Sequence, residues 1–299
     1  MFLTHPELFP GRISGETWGA EALTIELAGE SYRIEGLSPT QAESLRDRFG
    51  SRVVPRGSSG SSRNQVVTLQ LFRAPASDFH EIDTRGWEYW LDVEWRGESV
   101  RIAGMRLMAL LDLAAARGGI WTCVESREET WGVIENVLRP LVAARLLAQG
   151  GLLVHSAAVD GFLFAGASGA GKSTIARMGL DAGLPVSSDD INALVRTGDR
   201  FILAPLPFTG DLEEHEITAE AIPLRALVAL EKGTDESLRA LALAEAVSLL
   251  VRSAPYVNLD PERAALLLDR AAEIATAVPR QVLTFRREGN PWPILHITR

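Results

Sequence analysis

One stretch of the 299-residue chain has residue types and a spacing suited to phosphate chemistry: Gly166-Ala167-Ser168-Gly169-Ala170-Gly171-Lys172-Ser173-Thr174. It fits the pattern G-x-x-x-x-G-K-[ST] at every position. Glycines lack Cβ, so successive backbone N–H groups can converge on phosphate oxygens. A helix that starts where the loop ends adds the partial positive charge of its N-terminus. In such a loop Lys172 reaches the β- and γ-phosphates of a nucleotide and Ser173 ligates Mg²⁺. The flanks suit this reading. Phe162-Leu163-Phe164-Ala165 has the pattern of a short buried strand, and Ser173 to Ala182 that of a helix ended by Gly183. ATP and Mg²⁺ are the expected ligands, with GTP left open, and Gly166 to Thr174 is the expected binding set. A glycine-rich turn without a ligand is the bland alternative.

Two further groups lie close by in the chain. Leu152 to Val159 and Phe162 to Ala165 are apolar runs joined by Asp160-Gly161, a strong signal for a two-residue hairpin turn. In that register Val159 faces Phe162, Ala157 faces Phe164, and His155 stands beside Gly166. His155 is thus expected to tune acid–base events at the phosphates, against the alternative of a structural histidine. Beyond the loop's helix, Leu184-Pro185-Val186-Ser187-Ser188-Asp189-Asp190 puts two carboxylates at the end of a strand. Neighbours on extended chain point to opposite sides. One carboxylate can then hold Mg²⁺, directly or through water, while the other faces an acceptor hydroxyl. The alternative is a helix N-cap, with Asp190 capping Ile191 onward.

His155, the Gly166–Ser173 loop and the Asp189-Asp190 pair together resemble the catalytic domain of HPr kinase/phosphorylase and the wider set of HPr-kinase-like proteins. The short distance from loop to aspartates carries the specificity, because most phosphate-loop proteins place their metal-binding aspartate much further on. The chain is also similar to the subgroup found with peptide-modifying clusters, lasso-peptide kinases among them. That likeness lies in Glu135-Asn136-Val137-Leu138-Arg139 and in Gly150-Gly151-Leu152-Leu153-Val154-His155-Ser156-Ala157-Ala158-Val159. The resemblance covers roughly residues 85–299 and is strongest over 131–192.

The resemblance implies that Asp190 is the base on the acceptor serine and that His155 supports it. Asp189 would join Ser173 on the metal side, and Lys172 with its loop would hold the nucleotide. The catalytic set is then Asp190, Asp189, His155 and Lys172. The implied activity is an ATP-dependent serine kinase acting on a peptide or small protein, in a homo-oligomer. A small-molecule kinase and a nucleotide-binding regulator with weak ATPase activity are the alternatives. Two departures point away from HPr itself and from phosphorolysis. The loop ends in Lys-Ser-Thr rather than Lys-Ser-Glu. Pro205 to Gly210 and the acidic run Asp211 to Glu216 stand where an acidic-Val-Arg-Gly signature belongs. The acidic run reads as a solvated face or as a surface for a basic peptide. Arg139, Arg196, Arg225 and Arg252 are all candidates to stabilise a transferring phosphoryl group.

The surrounding pattern must position these groups. Strands are expected at Leu152–Val159, Phe162–Ala165, Pro185–Ser187, Phe201–Ala204, Leu227–Leu230 and Val282–Arg286. Helices are expected at Ile175–Ala182, Leu238–Arg252 and Pro261–Ala277. This alternation predicts an α/β domain with a mixed sheet over 131–299. An α+β module is expected over 1–130. It has a strand at Leu23–Leu27, a helix at Ser38–Phe49 capped by Ser38 with Pro39 at its first position, and strands at Val66–Phe72, Tyr89–Trp95 and Ser99–Ile102. The residues Met105–Arg117 read as an amphipathic helix closed by Gly118-Gly119, and Glu128–Gln149 as a helix interrupted near Pro140. Gly57–Ser62 reads as a mobile serine-rich loop. Trp87, Trp90 and Trp95 are either packing ballast or a stacking platform.

Composition narrows the partners. Lys and Arg number 30 and Asp and Glu 39, a net charge of −9, which disfavours a general nucleic-acid binder and favours a neutral or basic acceptor. Hydrophobic residues make up 46% of the chain, enough to form a core. No apolar run approaches the ~20 residues that span a bilayer. The only cysteine is Cys123, so no disulfide framework is expected. The first residues lack the pattern of a signal peptide, and the cytoplasm is the expected compartment, with no membrane partner.

Overall fold

The computed structural model describes residues 15–55, 65–79, 91–208, 210–213 and 216–297. The serine-rich stretch 57–62, Trp87, Trp90, and Glu214 and His215 of the acidic run lie outside the described residues. The protein is α/β and divides into two compact units, Met1–Leu141 and Val142–Arg299. The division falls inside a helix rather than ahead of it.

The first unit holds β1 (Glu21–Leu27), β2 (Glu30–Leu37), α1 (Pro39–Phe49), β3 (Val67–Arg73), β4 (Leu91–Arg96), β5 (Ser99–Gly104), β6 (Leu107–Asp112) and β7 (Arg117–Thr122). The strands form one sheet in the order β1-β2-β3-β7-β6-β5-β4. Helix α1 starts where its local chemistry dictates. Ser38 Oγ accepts from the Gln41 N–H at 3.3 Å, while Gln41 Oε1 accepts from the Ser38 N–H at 3.0 Å. Ile25, Tyr32, Ile34, Leu45, Phe49 and Leu69 are buried in this unit.

The segment expected as a helix at 105–117 is instead β6 and the turn into β7. Its Leu, Met and Ala residues favour helix in isolation, but Leu107, Met108, Ala109 and Leu111 are buried in a strand hydrogen-bonded on both sides. Burial and two ladders override propensity here. Asp112 ends the strand by accepting the Ala115 N–H at 2.9 Å, and Ala116 adopts φ 50° to turn the chain. Helix α2 (Arg127–Ala148) runs on through Pro140 without the expected interruption. The flanking Val137, Leu138, Leu141 and Val142 are buried, and their packing holds the helix across the missing N–H.

The second unit holds β8 (Leu152–Val159), β9 (Phe162–Ala165), α3 (Lys172–Asp181), β10 (Val186–Ser188), β11 (Ile191–Thr197), β12 (Arg200–Ala204), β13 (Ile222–Pro223), β14 (Ala226–Lys232), β15 (Ser237–Ala240), α4 (Leu243–Ser253), α5 (Ala264–Ala277), β16 (Arg280–Phe285) and α6 (Trp292–Ile297). The sheet is mixed, ordered β13-β12-β11-β8-β9-β14-β16-β15, with β10 also on β8. Strands β9, β14 and β16 are mutually parallel. The β8–β9 hairpin has the expected register, Val159 with Phe162 and Ala157 with Phe164. Its turn residues Asp160 and Gly161 adopt φ 48° and 81°, the positive pair a two-residue turn requires. Arg225 clamps the turn, donating to the Asp160 carbonyl at 3.1 Å and lying 4.6 Å over the Phe162 ring.

Further expectations are corrected in this unit. The helix expected over 238–252 begins only at Leu243, where Glu245 accepts the Ala242 N–H at 3.2 Å; Ser237–Ala240 pairs with β16 as an edge strand. Ile191 opens β11, so Asp190 caps no helix. Among the described residues no helix is long and apolar enough to cross a membrane.

Candidate functional site

The loop from β9 into α3 is shaped by its glycines. Gly171 is the N-cap of α3 at φ 106°, and a Cβ there would meet the Phe285 ring at 2.6 Å. Gly166 lies so close to Ala170 that a Cβ would stand 2.8 Å from its methyl group. Ile175 N–H closes the first turn onto the Gly171 carbonyl at 2.9 Å. The N–H groups of Lys172, Ser173 and Thr174 have no carbonyl within the helix to receive them. Lys172 itself is only 8% exposed. Its Nζ lies 3.3 Å from the Gly166 carbonyl and 3.4 Å from that of Ala167, and among the described residues it has no ion-pair partner. Burial pushes its pKa below the usual lysine range, with Asp190 partly opposing the shift. A near-buried ammonium without a carboxylate, beside three outward N–H groups, is a place for an anion.

The aspartates sit at a break in strand pairing. Strand β10 pairs with the end of β8, with a shifted register, and β11 pairs with its start, Ile191 facing His155. Asp189 and Asp190 form the bend between them. Ser188 pins it, its Oγ accepting from the N–H groups of Asp190 and Ile191 at 3.1 and 3.3 Å and donating to the Phe208 carbonyl at 3.2 Å. The two carboxylates have different partners. Asp189 is 2% exposed and accepts the N–H groups of Gly210 and Asp211 at 3.0 and 2.8 Å, tying down that loop. Asp190 is partly exposed, and its Oδ1 lies 3.3 Å from His155 Nε2.

His155 is the only exposed residue of β8, at 49% of its side chain. Partial burial lowers its pKa first and the Lys172 cation second, while Asp190 and then Asp189 pull it up. With neither nucleotide nor metal added, Lys172→Met removes the second cause. The His155 ring protons, followed by NMR, should then titrate at a higher pH than in the wild type. An unchanged or lower midpoint would show that the two side chains are not coupled.

The fold brings His155, Ser168, Gly169, Gly171, Lys172, Ser173, Thr174, Asp189 and Asp190 onto one cleft of about 360 Å³, together with Gly210 and Asp211. Gly166 and Ala167 line a neighbouring cleft of about 580 Å³. Ala170 lines neither and packs on the core beneath the loop. Of the four candidate arginines, Arg139 pairs with Glu135, Arg196 with Glu273 and Arg225 with Asp160. Arg252 lines the second cleft and donates to Ser248 at 3.0 Å. The backbone donors of Gly210 and Asp211 escaped sequence reasoning, because nothing local ties them to an aspartate some twenty residues earlier. Ser188, two residues before Asp190, carried a readable turn signal.

Among the described residues no group of three His, Cys, Asp or Glu side chains can hold a metal ion unaided. The donor set suits Mg²⁺ arriving with phosphates, since that ion takes one or two protein oxygens and completes its shell from phosphate and water. Ser173 Oγ and the Asp189 carboxylate, both on this cleft, are the oxygens that would be available to it; each Asp189 oxygen keeps a lone pair beyond its N–H contact.

Comparison with curated proteins gives no match. A family model does match, over residues 122–296, which include all of β8 to β16 and both aspartates. By that match, over more than half its length, the chain belongs to the family described as SynChlorMet cassette protein ScmC.

Proposed function

We propose that this protein is an ATP-dependent, HPr-kinase-like phosphotransferase of the cytoplasm whose acceptor is a hydroxyl, the serine of a peptide or small protein. The observation that carries the reading is Lys172: nearly buried, without an acidic partner among the described residues, at the open N-terminus of α3. The Asp190–His155 pair on the same cleft supports transfer rather than binding alone. So does the resemblance to HPr-kinase-like proteins in these same residues.

In this reading the N–H groups of Lys172, Ser173 and Thr174 hold the phosphate oxygens and the Lys172 ammonium neutralises their charge. Mg²⁺ on Ser173 and Asp189 would draw further charge from them. Asp190 accepts the proton of the acceptor hydroxyl as its oxygen attacks phosphorus and the bond to the leaving diphosphate breaks. His155 Nε2–H donates to Asp190 and keeps that carboxylate aimed.

The test is to incubate the full chain with Mg²⁺, ATP and short serine-containing peptides encoded beside its gene, and to weigh the products. One added phosphoryl group on a serine is expected. Phosphate on free metabolites alone would replace this reading with a small-molecule kinase. ADP formation with no phosphorylated product would replace it with a regulator.

A further inference from the structure

The first unit carries a feature that the phosphate site does not use. Strands β3, β7, β6, β5 and β4 lie side by side, and their register sets side chains in rows across one face of the sheet. Two such rows, one through Arg117 and one through Gly119, line a trough of about 780 Å³. The Trp121 ring leans over Gly119, where a Cβ would stand 2.6 Å from it. Phe72 and Trp121, stacked at 5.1 Å, form an apolar wall on one side.

The remaining lining includes five charged side chains, and their charges do not cancel. Arg96 and Arg101 share a single carboxylate, Glu94, at 2.6 and 3.0 Å. Asp112, across the strand from Arg117, already accepts the Ala115 N–H. Arg117 is exposed and, among the described residues, its guanidinium has no hydrogen-bond or ion-pair partner. Three guanidiniums face two carboxylates, a local positive excess in a chain of net charge −9. The field at the trough therefore selects acidic groups, opposite to the preference the net charge suggests.

Shape separates a chain from a compact ligand. From β3 to β4 are four strand spacings of ~4.8 Å, about 19 Å, which about six extended residues span at ~3.3 Å each. Strands β3, β7, β6 and β5 are paired on both sides and β4 on one, so the backbone beneath the trough is committed to its ladders except along the β4 edge. A bound chain must be held by side chains, and Gln70, whose amide has no hydrogen-bond partner among the described residues, sits beside Gly119 to do so.

We infer that this trough binds an extended stretch of about six residues of another polypeptide, with an apolar side chain against the Trp121 ring and an acidic one facing Arg117. The inference does not rest on the phosphate site.

The test uses the full chain and fluorescein-labelled hexapeptides of Phe, Leu and Glu, alongside the same peptides with Lys for Glu, read by anisotropy. Saturable binding of the Glu peptides is expected, at least tenfold tighter than that of the Lys peptides and weakening with salt. Arg117→Glu should weaken Glu-peptide binding tenfold or more, and Gln70→Ala should weaken it less, both with unchanged circular dichroism and nucleotide binding. No saturable binding, equal binding of both peptide sets, or indifference to Arg117→Glu would overturn the inference. So would phenylpropionate displacing the labelled peptide as well as unlabelled peptide does, since that marks a pocket for a small acid.

Discussion

Asp190→Asn should remove phosphoryl transfer while leaving nucleotide affinity within about tenfold of the wild type, or ~1.4 kcal/mol. The expectation follows from where the carboxylate stands. Its Oδ1 faces His155 at 3.3 Å at the mouth of the cleft, whereas the buried Asp189 is occupied with the Gly210 and Asp211 N–H groups. Asparagine keeps the shape and can still accept from His155, but it takes up no proton. A base that acts on the acceptor matters in the transition state rather than in holding the nucleotide, and its loss costs on the order of 10²–10⁴ in rate. The tenfold allowance covers Lys172, which loses a neighbouring negative charge that favours its cation. Asp189→Asn should behave differently, weakening Mg²⁺-dependent nucleotide binding and loosening the 210–211 segment together. Calorimetry with Mg²⁺ and ADP, paired with single-turnover assays, separates the two variants. If Asp190→Asn loses nucleotide binding a hundredfold and Asp189→Asn does not, the metal-side and base roles are exchanged.

Lys172→Ala should abolish turnover and nucleotide binding, yet leave the ligand-free protein at least as stable as the wild type. Lys172 is 8% exposed, and its ammonium has two backbone carbonyls near it and no ion-pair partner among the described residues, so its charge is costly until an anion arrives. Wild-type protein should gain about 2.7 kcal/mol of stability at a nucleotide concentration a hundred times Kd, and the variant none. The pH dependence has a definite sign. The folded pKa of Lys172 is lowered, so between that value and the unfolded one the unfolded chain binds more protons. Stability of the wild type relative to the variant therefore rises with pH in that window and levels off near ~10.4. Thermal unfolding with and without Mg²⁺ and ATP, at several pH values, checks all three points. A variant that melts several degrees lower without ligand would make Lys172 a structural residue, and one still stabilised by nucleotide would remove it from the phosphate site.

Much of the scaffold was legible because it is encoded within a few residues. Asp160-Gly161 between two apolar runs specifies a turn with positive φ at both positions, and that turn sets the β8–β9 register. Ser38 and Gln41 close a capping box three residues apart, so the start of α1 could be read directly. The glycine spacing of 166–171 likewise marks a tight loop entering a helix, since its constraint is steric and local.

What escaped reading depends on partners far along the chain. Leu107–Asp112 has the composition of a helix and becomes a strand only because β5 and β7 flank it, hydrogen-bonding its backbone and burying its side chains. Asp190 could have capped a helix until β8 claimed the next residues as β11. The division of labour between the two aspartates was open in the residues alone. The 210–211 segment settles which of them is tied to the backbone and which faces His155. The cationic trough has no motif at all, because its rows run across five strands and are assembled by register. Turns, caps and glycine-rich loops are short-range sterics and hydrogen bonds, so neighbouring residues specify them. Strand neighbours, buried polar partners and local charge balance arise from residues that meet only after the chain has folded.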